Sequence, residues 1–160
     1  MKKKQSKEWL TKEEYNRIIN HPHISRKDEI IITLLYSCAL RISELINIRI
    51  EDINTNNATI TIWDSKTSND PALVPIPATL LKMLNQWISE NKLSPKKYLF
   101  SSNRSKTISR SQLSRIIVLT AKQAGIDKVI STHSYRRYVV NNIIEVIPPT
   151  ELCRVITMTI

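Results

Sequence analysis

Long apolar runs, cysteine, glycine and acidic residues are all scarce in this 160-residue chain. No stretch approaches the roughly 20 apolar residues needed to span a bilayer, which excludes a helical membrane protein. The leader "MKKKQSKEWL" is basic but has no apolar stretch and no small-residue cleavage site, so it does not read as a signal peptide. There are two cysteines, Cys38 and Cys153, without metal-ligand spacing, and nothing points to a disulfide or to secretion. Cys38 sits in the apolar run "LLYSCAL" and reads as a core thiol. The one glycine is Gly125. Fourteen Asp and Glu stand against 24 Lys and Arg, a formal charge of +10. Such a surplus favours a polyanionic partner, most often nucleic acid. With 41% apolar and 24% charged residues the chain folds rather than staying disordered, and its length suits one domain with a real core.

Residues 1–8 read as a basic flexible arm. Thr11 and Glu14 form a Thr-x-x-Glu capping box that opens a first helix, which Pro22 ends. Ser25 caps a second helix, "RKDEIIITLLYSCAL", apolar nearly all round and therefore central. "RISELINIRIEDI" follows, with Ile42, Leu45, Ile46 and Ile48 near one face at helical spacing. "ATITIW" and "ALVPIP" read as the strands of a hairpin, and Pro75 and Pro77 mark the second as short or at a sheet edge. "ATLLKMLNQWISEN" returns to helical period, and "KKYLFSSN" is a short extended piece. "SRSQLSRIIVLTAKQAG" is a helix that Gly125 ends in the left-handed conformation. A helix starts near Thr132, and a last short one follows "PP". The fold class is mainly α with a small antiparallel β-sheet, without repeats or a second domain.

The chemistry gathers in three places. His133 and Arg136 lie three apart on one helix face, near its start, where free backbone donors favour an anion. Alone, such a histidine is more often structural and such an arginine more often solvated. Arg41 follows a very apolar run, so it is expected to be half-buried, and Glu44 one turn on could hold its guanidinium; a structural ion pair is the plain alternative. Lys66 sits at the hairpin tip "SKTSNDP", where it could reach a ligand or be merely solvated.

The order "ALRISEL", hairpin-loop lysine, "VPIP", "AGI" and "HSYRR" resembles the catalytic domain of the tyrosine recombinases, the phage integrase family. The resemblance runs from about Trp9 to about Ile156. It implies the fold of that catalytic domain over residues 9–160, and an activity in site-specific DNA recombination or integration. Arg41 and Arg136 would clamp the scissile phosphate, because forked guanidinium donors match its non-bridging oxygens. Lys66 would be the general acid for the leaving 5′ oxygen, and His133 a general acid/base. Glu44 would orient Arg41. Arg137, like Lys66, would contact the DNA. No cofactor or metal is expected, since arginines supply the charge a metal supplies elsewhere.

Two departures shape the expectation. The family continues with a Leu-Gly-His-type box and then a nucleophilic tyrosine, whereas the stretch from Arg154 to Ile160 holds no tyrosine. Tyr135 and Tyr138 lie too early to replace it, and Tyr135 occupies an apolar packing position. The family's separate N-terminal DNA-clamping domain has no counterpart. The chain is thus expected to be a C-terminally incomplete core, inactive alone. Its expected partner is double-stranded DNA; alone it would be a monomer, its full-length parent forming a tetramer on DNA. The expected compartment is the cytoplasm of a prokaryotic or virus-infected cell. A catalytically inactive DNA-binding regulator or accessory protein is the alternative, and a type IB topoisomerase relative shares the arginine, lysine and histidine chemistry.

Overall fold

The computed structural model describes residues 9–63, 71–102 and 104–135. The arm expected at residues 1–8, the expected Lys66 loop, and the sequence from Arg136 onward, which holds most of the last two expected helices, lie outside the described residues. The elements are α1 (Lys12–Ile19), α2 (Arg26–Cys38), α3 (Ile42–Ile46), a 3-10 turn (Ile50–Asp52), β1 (Ile53–Asn54), β2 (Thr59–Ile62), β3 (Ala72–Pro75), α4 (Ala78–Glu90) and α5 (Arg110–Gln123). This is the expected class, helix-rich with one small antiparallel sheet.

Local chemistry sets the helix ends. Thr11 Oγ1 accepts the Glu14 N–H at 3.2 Å and Glu14 Oε2 accepts the Thr11 N–H at 2.9 Å, completing the capping box of α1. Ser25 Oγ accepts the Asp28 N–H at 3.1 Å at the head of α2. Gly125, at φ +74°, follows α5, and the Ile126 N–H turns back to the Ala121 carbonyl at 3.1 Å. That closure needs the left-handed conformation a glycine adopts without cost. The end of α2 is less relaxed: Ala39 takes φ 52° and ψ 38° there, a non-glycine residue in the same region.

The core forms around α2. Ile30, Ile31, Ile32, Leu34 and Leu35 are wholly buried, as a helix apolar on nearly every face requires, and α2 packs against α1, α4 and α5. Each such side chain contributes about 1.5–3 kcal/mol of burial before conformational entropy is subtracted. Cys38 belongs to this core, and burial pushes its thiol pKa up to about 12.

The sheet runs β1-β2-β3, all antiparallel, with Ile60 opposite Val74 and Thr61 opposite Leu73. β3 is an edge strand, as Pro75 implied. Two features differ from the sequence reading. The helical pattern after Arg41 stops at Ile46, and residues 48–51 become extended and turned. Their backbone pairs with a distant segment: the Leu99 N–H donates to the Ile48 carbonyl at 2.8 Å, and the Ile50 N–H to the Lys97 carbonyl at 3.0 Å. The chain then supplies β1, a third strand beside the expected hairpin.

Candidate functional site

Arg41 is the N-cap residue of α3, with extended backbone at φ −75° and ψ 156°. The left-handed Ala39 turns the chain out of α2, buried Leu40 anchors the turn, and Arg41 emerges half-buried. That burial matches the expectation for an arginine after so apolar a run. Glu44 Oε2 accepts the Arg41 backbone N–H at 2.7 Å, and the Arg41 carbonyl accepts the Leu45 N–H at 3.0 Å. The Glu44 carboxylate therefore fixes Arg41 through its main chain. The side chain is launched from a backbone whose donor and acceptor are both tied.

His133 is exposed on a helical turn at residues 132–135, flanked by buried Thr132, Ser134 and Tyr135. Thr132 lies inside this turn, and the cap is one residue earlier: the Ser134 N–H donates to the Ser131 carbonyl at 3.0 Å, and Ser134 Oγ accepts the Ser131 N–H at 3.1 Å. The helix expected to start near Thr132 is thus capped by the bonding of Ser131 with Ser134. Residues on either side of His133 are sunk in the core, so the exposed imidazole has a fixed base.

The connection leading into this turn is held by a contact invisible in the local sequence. Lys128 Nζ lies 2.8 Å from Glu14 Oε1 and 3.5 Å from the Trp9 carbonyl. Ile126 and Ile130 are buried on either side of it. Glu14 thus caps α1 with one oxygen and holds the segment before His133 with the other. Burial alone would raise its carboxyl pKa. The bonds from Lys128 and from the Thr11 main chain outweigh that and hold it below the ordinary value.

Tyr135 is fully buried, its hydroxyl has no hydrogen-bond partner among the described residues, and burial with the nearby Tyr15 raises its pKa. A neutral phenol sealed from solvent cannot reach a phosphate, in keeping with its reading as a packing residue. Tyr138, Lys66, Arg136 and Arg137 lie outside the described residues. Of the expected site, the structure brings Arg41 and Glu44 together and presents His133 on its own turn. Among the described residues, no helix is long and apolar enough to cross a membrane.

The phage integrase family model matches residues 8–152. A tyrosine recombinase of Pseudothermotoga lettingae is 32% identical over 129 residues, covering 81% of this chain and 44% of its own length. The tyrosine recombinase XerA of Pyrococcus furiosus is 31% identical over 140 residues, covering 85% of this chain and 48% of its own. The chain thus spans about half the length of the curated relatives it matches. Among solved structures, a XerA recombinase superposes with a TM-score of 0.79 at 23% identity, over 90% of this chain and 52% of that one. The XerH site-specific recombinase bound to its difH substrate, a pre-cleavage complex, gives 0.73 at 19% identity, over 89% and 45%. These structural likenesses establish a shared fold.

Proposed function

The chain belongs to the phage integrase family, and from that premise we propose that it is the phosphate-clamping core of a DNA strand-transfer enzyme. It binds duplex DNA. Arg41 and Arg136 together hold the non-bridging oxygens of one scissile phosphate and stabilise the charge of its pentacoordinate transition state. Glu44 orients Arg41 through the main-chain bond described above. An attacking tyrosine oxygen forms a bond to phosphorus as the bond to the 5′ oxygen breaks, leaving a 3′-phosphotyrosyl link. Lys66 protonates the departing 5′ oxygen, and His133 manages the proton on the attacking side. Arg137 adds a backbone contact.

The observation that carries this reading is Arg41 itself. It lies in "ALRISEL", half-buried, on a cap whose backbone Glu44 secures at 2.7 Å. The tyrosine is not among residues 1–160: the chain's tyrosines are 15, 36, 98, 135 and 138. None of them occupies the family's position, and Tyr135 is sealed in the core. The nucleophile would therefore come from outside this stretch.

A nicked suicide substrate tests this, read by denaturing electrophoresis. Residues 1–160 should give no covalent protein–DNA band. A version of the protein extended past Ile160 and carrying the tyrosine should give one, and Arg41→Ala should reduce its cleavage by several orders of magnitude. An adduct on Tyr135 or Tyr138, or full cleavage by Arg41→Ala, would overturn the proposal.

A further inference from the structure

A second basic feature stands among the described residues. A groove of about 900 Å³ opens between the loop after α4 and the loop before α5. Among the described residues it is lined by Arg49, Lys96, Lys97, Arg104 and Lys106, with Tyr98 among them, and by no carboxylate; neither Arg41 nor His133 borders it. All five cations are exposed.

The groove is built on fixed backbone. The Ile50 N–H donates to the Lys97 carbonyl at 3.0 Å and the Glu51 N–H to the Pro95 carbonyl at 2.8 Å, which ties the lysine-bearing loop to the 3-10 turn. Opposite, Ser102 Oγ accepts the N–H groups of Arg104 and Ser105 at 3.3 and 3.0 Å. The Arg49 guanidinium lies 5.0 Å over the Tyr98 ring and donates to its hydroxyl at 3.3 Å, so its orientation is set. Glu51 reaches Arg49 only at 4.0 Å. Among the described residues, Lys96, Lys97, Arg104 and Lys106 form no ion pair.

Five like charges facing one concavity repel one another, and solution counterions relieve that repulsion. A polyanion relieves it better, because binding releases those counterions. We infer that this groove seats backbone phosphates of duplex DNA outside the cleaved phosphate; the inference rests on the DNA-binding reading above. The chemistry favours a phosphate backbone over exposed bases. The lysines are mobile point charges, suited to phosphates at several positions. Tyr98, the aromatic side chain among the described lining residues, has Arg49 over its face. The groove should therefore add affinity and register but little sequence choice.

The test uses the full 160-residue chain carrying Lys96→Gln, Lys97→Gln and Lys106→Gln together. Its affinity for a fluorescent duplex is read by anisotropy between 50 and 200 mM salt. Each lost phosphate contact removes about 0.9 from the slope of log affinity against log salt, so the slope should fall by about 2–3. Affinity at the low-salt end should fall about tenfold or more, equally for unrelated sequences. The melting temperature should not fall, because the side chains are exposed and the substitutions remove mutually repelling charges. Lys96→Glu with Lys97→Glu should weaken binding further. If the unsubstituted chain shows no salt-dependent duplex binding, the DNA reading fails and this groove with it. If the unsubstituted chain binds steeply and the triple variant keeps both slope and affinity, the groove proposal fails alone. Loss of polyglutamate binding with duplex affinity intact would replace DNA by an acidic protein segment and overturn the inference.

Discussion

Replacing Glu14 by alanine removes two restraints at once, and the structure allows each to be sized. The Glu14 half of the capping box leaves the Thr11 N–H without its acceptor, which at a helix start costs about 1 kcal/mol. The ion pair with Lys128 is only partly shielded, with side chains 13% and 32% exposed, so it adds about 0–1 kcal/mol. Together they predict about 1–2 kcal/mol, or a fall in melting temperature of about 2–8 °C for a chain of this size. Glu14→Gln keeps a neutral acceptor for Thr11 and should lose only the charge-dependent part. The pH dependence has a definite sign. The folded-state pKa lies below the ordinary 4.5, so the unfolded chain binds the proton more readily. The stabilisation is complete above 4.5 and is lost as pH falls through the lower folded value. The gap between the native chain and Glu14→Gln should therefore close in acid. Thermal melting by circular dichroism from pH 7 down to about 3 measures this. Equal melting temperatures for native, Gln and Ala forms at neutral pH would refute the double role of Glu14. A gap that widens in acid would refute the sign of the linkage.

Two further outcomes follow from the same geometry. Tyr135→Phe should leave stability unchanged or raise it by up to about 1 kcal/mol, because the buried hydroxyl has no partner among the described residues; a loss above that in denaturant titration would reveal a hydrogen bond. In the tyrosine-bearing extended protein, the cleavage defect of Lys66→Ala should be rescued by sulfur at the leaving 5′ position, since a thiolate departs without a proton. Absence of that rescue would remove Lys66 from the acid role and leave the arginine clamp standing.

Much of the fold was legible because its determinants are local. The box at Thr11 and Glu14, the cap at Ser25, the all-apolar α2 and the left-handed Gly125 each follow from residues within a few positions. The edge position of β3 followed from a proline that cannot donate to a neighbouring strand. What escaped the sequence is non-local. The apolar spacing from Ile42 to Ile48 fits a helix, yet residues 48–51 pair with 95–99, and that pairing ends α3 and frees the chain to form β1. The Glu14–Lys128 contact joins residues more than a hundred positions apart. Of the candidate site, the setting of Arg41 was legible: it is half-buried, as the apolar run before it implied. The Glu44 contact to its main chain depended on a cap geometry that spacing alone does not fix. The basic groove was hidden because "SPKK" and "RSK" look like ordinary solvated loops until the fold sets them face to face.

The central claim is that Arg41 and Arg136 serve one phosphate. A crystal structure of the chain bound to a duplex carrying its cleavage site tests that most directly. The account predicts both guanidiniums on the non-bridging oxygens of a single phosphate, at about 2.7–2.9 Å, with His133 beside it. Arg41 and Arg136 on different phosphates, or on opposite faces of the domain, would contradict it.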